Sequence, residues 1–573
     1  MKKYFYFCSL FIGLGLSLGA AVNAQEAIDD FDITLNINKD TSIDVTERIT
    51  YNYGTERKHG IYRELPFMYK ARGGNYNIKI SDLAVTDGAG DPFIISVEDQ
   101  GGYKNIKIGD AQGYVTGQIT YVITYRVKRA INYFSDHDEL YWNATGNLWE
   151  VPIRQSRVTV VFPGESAEDL TRAECFAGPF GSANKCVSYR YKYGGDKSVE
   201  SLVFTDDYLE PGEGLTIVAG FARGIVEKPS WFSRVWEIFK DNPVLFLPFL
   251  AFISLYYIWY KRGRDPKGRR TIIALYAPPD SLTPAEVGTI IDDSVDRADI
   301  SADIINLAVR GYLRIERVER TDIFKKVDYD LEKLKDGYDL GNPHEQKLFS
   351  ALFPGKRGQV ALSVLKNDFY DDWEEIKNIL YKDLARKNYF VADPGGIRKI
   401  YTAIGIVFFV LGLIAAFWSG ILALAGFGVS GLIITLFGYY MPVKTPDGAL
   451  AKDHILGFKE YLTVAEKDRL KFHNAPEKNP GHFEKLLPFA MVLGVEKEWA
   501  AQFKGIYDRQ PDWYNEPAGS DFSSLALVSS LRSFKDRVNA DLTSRPSSAS
   551  GGGSGFSGGF SGGGFGGGGG RSW

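Results

Sequence analysis

A chain of 573 residues has room for several domains of about 100–200 residues each. Its net charge of −4, with 24% charged residues, excludes both a polybasic nucleic-acid binder and an acidic disordered chain. Three cysteines are too few for a disulfide scaffold or a cysteine-rich zinc module, and a mean hydropathy of −0.17 excludes a transporter lying mostly in lipid.

The chain opens with Lys2 and Lys3, an apolar core from Tyr4 to Ala21, and small residues at Val22-Asn23-Ala24. This is the pattern of a signal peptide over 1–24, cleaved after Ala24, with an uncleaved signal anchor as the alternative. Either places the following residues outside. Residues 25–241 then alternate apolar and polar side chains, as in Phe31–Ile37, Ile119–Val127, Val158–Phe162 and Leu215–Ala219. A period of two with one wet face predicts an antiparallel, all-β sandwich. Cys175 and Cys186 remain after cleavage and are expected to form a disulfide in an oxidising compartment; the alternative is two buried thiols.

Two islands break the alternation, HGIYRELP at 59–66 and DHDELYWNATG at 136–146. In the second, Asp136, His137, Asp138 and Glu139 are candidate metal ligands, since carboxylates and imidazole fall within four positions. No calcium-loop glycine or further ligand stands at a defined offset, so a charged loop before a buried strand is the favoured reading. Asn143-Ala144-Thr145 matches a glycosylation sequon but equally a turn.

From Val244 to Tyr260 an apolar run ends in Tyr256, Tyr257, Trp259 and Tyr260, followed by Lys261, Arg262, Arg264, Lys267, Arg269 and Arg270. Aromatic residues prefer the interface and basic ones the cytoplasmic side, so 242–260 is read as a transmembrane helix running inwards. Residues 261–399 carry capping boxes at Thr283–Glu286 and Asn342–Glu345. Helices are expected from Thr283 to about Asp292, from about Ser301 to Arg310, and from about Lys366 to Lys387. Strands at Tyr312–Val318 and Val327–Leu331 complete the helix, helix, strand, strand order of a winged helix. Its second helix, SADIINLAVR, offers one Arg and one Asp among mostly apolar residues, which argues against nucleic acid as a partner.

Residues 400–418 and 421–441 form an apolar hairpin flanked by Arg398, Lys399 and Lys444, giving three spans in all. Gly426–Gly431 matches GxGxxG by letter, but inside a span the small residues serve helix packing rather than dinucleotide binding. Residues 442–546 read as a cytoplasmic helical region in which His454, His473 and His482 lack zinc spacing. Residues 547–573, a Gly/Ser stretch with Phe556, Phe560, Phe565 and Trp573, are expected to be disordered, either passive or a sticky segment for a partner or membrane surface.

The two islands, with GRDPKGR at 263–269, ADIINLAVRGYLRIE at 302–316 and FEKLLPFAMVLGVEKEWA at 483–500, resemble the YciQ-like bacterial membrane proteins grouped as domain of unknown function 2207. The resemblance implies an exported β domain, membrane helices and a cytoplasmic domain, and no reaction. The expectation is therefore a non-enzymatic scaffold or signalling protein of the bacterial cytoplasmic (inner) membrane, without catalytic residues or cofactor. The bilayer and an unidentified protein would be its partners, and its C-terminus would be cytoplasmic. A metal-dependent enzyme or accessory subunit using Asp136–Glu139 is the alternative, and a membrane-tethered DNA-binding regulator the weaker one.

Overall fold

The structure, a computed structural model, describes residues 26–163, 170–193, 199–269, 272–320, 326–355, 357–366, 369–464, 479–507, 509–516, 522–541 and 561–573. The expected signal peptide, His473 and tail residues 547–560 lie outside the described residues. The chain divides into two compact units, one of residues 1–243, 417–422 and 554–573, the other of residues 244–416 and 423–553.

In the first unit, β1 (Ala27–Ile37), β2 (Ile43–Asn52), β3 (Gly60–Pro66), β4 (Met68–Ala71), β5 (Gly74–Asn77) and β6 (Lys79–Thr86) follow one another closely. Next come β7 (Ile95–Gln100), β8 (Tyr103–Gly109), β9 (Gln118–Lys128), β10 (Ile131–Tyr133), β11 (Asp138–Asn143) and β12 (Leu148–Trp149). The run closes with β13 (Ser156–Val161), β14 (Leu170–Pro179), β15 (Ser188–Tyr193), β16 (Val199–Asp206) and β17 (Glu213–Phe221). A seven-stranded sheet has the order β15-β16-β13-β1-β2-β9-β6. The alternation read from the sequence sets its inner face, where Phe31, Ile33, Leu35, Val45, Ile49 and Ile123 are buried. Pairing is antiparallel except that β1 runs parallel to β13, a departure that the period of two cannot reveal because both pairings share it.

Cys175, on β14, is bonded to Cys186, with their Cα atoms 5.5 Å apart. Asn143, the sequon position, is buried at a turn, accepting from the Gly146 N–H at 3.1 Å and donating to Asn147 at 2.8 Å. One helix went unforeseen: α1 (Trp231–Asp241), capped by the Ser230 hydroxyl. It exposes Trp231, Phe232 and Trp236, while Arg129 on the β domain pairs with its Glu237 and Asp241 at 2.9 and 2.7 Å.

The second unit begins with α2 (Leu247–Arg262). After it come α3 (Pro284–Asp292), α4 (Arg297–Val309), β18 (Leu313–Arg320), β19 (Lys326–Lys333), α5 (Pro343–Leu352), β20 (Gln359–Ala361) and α6 (Phe369–Arg386). The apolar helices α7 (Pro394–Ser419) and α8 (Ile421–Tyr440) follow. Then come α9 (Pro446–Thr463), α10 (Pro480–Val492), α11 (Glu496–Ala501), β21 (Tyr514–Asn515) and α12 (Ser524–Asp541). Three helices, Pro243–Arg262, α7 and α8, are long and apolar enough to cross a membrane. Small residues let them approach: a methyl on Gly426 would stand 2.5 Å from the Val244 carbonyl oxygen, and Gly405 meets Gly431 as closely.

Helix α4 starts at Arg297, four residues before the expected Ser301, because Asp296 and Asp299 form a capping box. It is buried from Asp299 to Ala308, and residues of 282–390 and 451–538 share the core around it. The regions expected as two separate cytoplasmic pieces thus pack as one, with β21 pairing parallel to β18. A helix apolar on every side must be covered on every side.

Asp299 is 4% exposed and accepts the Asp296 N–H at 2.7 Å; burial pushes its carboxyl well above the usual carboxylate range. A raised folded value stabilises below the unfolded value and loses that contribution as pH rises through the folded one. Asp299→Asn keeps the acceptor but cannot ionise. The variant should therefore gain stability over the wild type between about pH 4 and about pH 8, read as the unfolding temperature at each. An equal effect at both ends would contradict this account.

Candidate functional site

The end of the chain is not a free tail. Two strands, β22 (Phe565–Gly566) and β23 (Gly569–Ser572), are built into the β domain. β22 runs parallel to β11, with Phe565 opposite Trp142. β23 lies inside a five-stranded sheet of order β12-β23-β3-β8-β7, parallel to β12 and antiparallel to β3. The expectation of disorder over 547–573 therefore fails for 561–573. That expectation rested on too few apolar side chains to make a core, but a strand entering an existing sheet is held by its main chain and needs none.

Glycine is what the seat requires. A methyl at Gly568 would lie 1.7 Å from the Glu64 carbonyl oxygen, and at Gly570 2.1 Å from that of Tyr62. Gly568 also has φ +79°, a left-handed conformation that costs other residues about 1–2 kcal/mol. Where the run is broken by a large side chain, a pocket receives it. Phe565 is buried between Tyr69, edge-on at 5.1 Å, and Tyr76, stacked at 5.2 Å. Beside it lies a cavity of about 640 Å³ lined by Tyr69, Tyr103, Asn143 and Phe180.

Arg63 of β3 joins the tail to the core. It is 1% exposed and forms a two-pronged pair with Glu47, Nε to Oε2 at 2.7 Å and Nη2 to Oε1 at 2.8 Å. Its Nη1 donates to the carbonyls of Gly567 at 3.0 Å and Gly569 at 3.3 Å. The Tyr125 hydroxyl donates to Glu47 at 2.7 Å, and the guanidinium lies 5.6 Å from the Trp149 ring. Burial opposes the charge, but Glu47 more than offsets it and holds Arg63 above its ordinary value.

The last three residues each have a partner. Arg571 reaches Glu64 at 3.3 Å and covers Tyr62. The Ser572 hydroxyl bonds Glu26. Trp573 stacks on His59 at 5.2 Å, with the Lys107 ammonium 3.6 Å from its ring centre and its indole N–H donating to the Ile108 carbonyl at 3.2 Å. Its main chain exchanges bonds with the island, His59 N–H to Trp573 O at 2.6 Å and Trp573 N–H to Gly60 O at 3.1 Å. Upstream, the Ser561 hydroxyl donates to the Gly178 carbonyl and the Gly562 N–H to the Thr216 hydroxyl. Both sequence islands line this seat. Their role as its walls was missed, although glycines punctuated by Phe and ending in Trp were the visible half of the fit.

The acidic candidates lie at the β10–β11 turn. His137 Nδ1 is 2.9 Å from Asp136 and Nε2 is 3.7 Å from Glu139, with Phe134 stacked on the ring at 4.8 Å. Asp138, next along the strand, points to the opposite face, buried, and its carboxyl is raised by that burial. Three of the four are thus gathered around one imidazole and the fourth is not. Among the described residues the group with cation-binding spacing is another one, Glu286, His344 and Asp383. There the Lys387 ammonium pairs with Glu286 and, at 3.0 Å, with Asp383, so the charge is already balanced by the chain. His344 leans on Asp303 at 3.2 Å; burial disfavours its charged form, and Asp303 outweighs burial to raise it. These residues come from α3, α5 and α6, which no sequence spacing connects. His454 bonds the Ala277 carbonyl and His482 the Tyr461 hydroxyl, each at 3.1 Å.

Residues 27–221 match the family described as predicted membrane protein (DUF2207) N-terminal domain, and residues 273–503 match its C-terminal domain. The chain belongs to the DUF2207 family of predicted membrane proteins. It is similar to the uncharacterised protein YciQ of Escherichia coli (strain K12), 26% identical over 386 residues, which cover 63% of this chain and 58% of YciQ. The chain thus spans less than two thirds of that relative's length. Among solved structures, native leukotriene A4 hydrolase from Saccharomyces cerevisiae is 9% identical, with a TM-score of 0.22 over 34% of this chain and 29% of that one. An M1 zinc metallopeptidase from Deinococcus radiodurans is 11% identical, with a TM-score of 0.21 over 34% and 42%. A putative protease from Parabacteroides distasonis is 10% identical, with a TM-score of 0.21 over 50% of each. Likeness at this level carries no argument about this DUF2207 chain.

Proposed function

We propose that this DUF2207 protein is a non-enzymatic scaffold or signalling protein of a bacterial cytoplasmic (inner) membrane. In this reading an exported β-sandwich holds a peptide strand, three spans anchor it, and a cytoplasmic winged-helix-like and helical unit responds to occupancy. What carries the proposal is the interior strand position given to a segment from the far end of the sequence. Main-chain pairing supplies affinity there and side-chain pockets supply selection, which is how strand-addition recognition works.

The orientation rests on the basic residues Lys261, Arg262, Arg264, Lys267, Arg269 and Arg270 that follow the first span. A protein partner is favoured over nucleic acid because α4, the helix a winged helix would offer to DNA, is buried from Asp299 to Ala308.

Coupling is tested by hydrogen exchange on the membrane-embedded protein, full-length and stopped after Ala549. Tail removal should change exchange severalfold in α3, α4 and α10 as well as in the β domain. Changes confined to the β domain would contradict coupling.

A further inference from the structure

We propose that the slot between β3 and β12 is a receptor for a glycine-rich peptide strand carrying Arg-Ser-Trp, and that its occupant is the protein's own residues 561–573. This rests on reading the β domain as a peptide-strand binder and adds to it the ligand class, its source and its side of the membrane.

The ligand class follows from the walls. Gly568 and Gly570 face carbonyl oxygens at distances no Cβ tolerates, so a side chain at either position excludes a peptide. The pocket of Tyr69 and Tyr76 takes one aromatic ring three residues before Gly568. Glu64 and Glu26 receive a cation and a hydroxyl, and His59, Lys107 and the Ile108 carbonyl receive an indole. A π face beneath an ammonium is attractive, and an indole N–H asks for an acceptor when covered. The sequence FGGGGGRSW at 565–573 satisfies each requirement in register.

The side of the membrane follows from the seat. Residues 561–573 pair within the β domain, which the proposed function places outside, so this segment is exported, not cytoplasmic.

The test is a cysteine pair in the full-length protein in intact cells. Tyr62 and Arg571 stand directly opposite one another on β3 and β23, a spacing compatible with a disulfide. Tyr62→Cys with Arg571→Cys should cross-link within one chain. Ser96→Cys with Arg571→Cys, three strands apart at about 14 Å, should not. A link between two chains would overturn the proposal, because the slot would then take a second copy's tail. A C-terminal epitope on the otherwise unaltered chain gives the second reading. Its cleavage by protease added outside intact cells supports the proposal, and cleavage only after the membrane is opened overturns it. Neither result depends on the helical unit responding, so failure here is distinct from failure of the coupling experiment.

Discussion

Arg63→Met should cost the β domain about 3–5 kcal/mol, the usual loss when one member of a buried ion pair is removed. Both partners are 1% exposed, so the substitution strands the Glu47 carboxylate beside Tyr125 with no water to reach it. It also removes the donor to the Gly567 and Gly569 carbonyls, so the tail loosens together with the core. The measurement is the unfolding transition of the β domain in the detergent-solubilised protein. Adding Glu47→Leu should recover part of the loss, since two apolar residues leave no uncompensated charge and neighbouring effects do not add. A loss under about 1 kcal/mol would mean that the pair is solvated, as exposed ion pairs are.

Gly568→Ala acts on the tail alone. The new methyl meets the Glu64 carbonyl oxygen at 1.7 Å and is held at φ +79°, so relief requires β23 to leave the slot. Amide exchange over Gly566–Ser572 should rise by about 10–100-fold, equivalent to about 1.4–3 kcal/mol. The β domain should keep its unfolding temperature to within a few degrees, because its core is otherwise intact. Unchanged exchange would mean that the segment is not seated as described.

Much of this architecture could be read from residue order. Alternation gave the strands from Phe31 to Ile37 and from Ile119 to Val127, and the apolar runs gave the three long helices. Thr283 to Glu286 capped α3 where the capping pattern placed it. These are local signals, set by side chains within a turn or two of one another. The slot is a non-local feature. Arg63 and Gly567 are 504 positions apart, and neither carries a mark of the other. The tail misled because composition measures the capacity to build a core, not to complete a sheet that others have built. The network of Glu286, His344, Asp383 and Lys387 stayed hidden for the same reason: the first three stand on α3, α5 and α6, Lys387 just follows α6, and none is near another in sequence except Asp383 and Lys387. Helix α1 was missed because its apolar side chains lie on one face and look outward, where no core demands them.

The most direct measurement is hydrogen exchange at residues 561–573 of the full-length protein in a lipid bilayer. A seated strand predicts slow exchange at Gly562, Gly566 and Trp573, whose N–H groups are bonded to Thr216, Tyr69 and Gly60. Exchange there at the rate of a free glycine peptide would contradict the account.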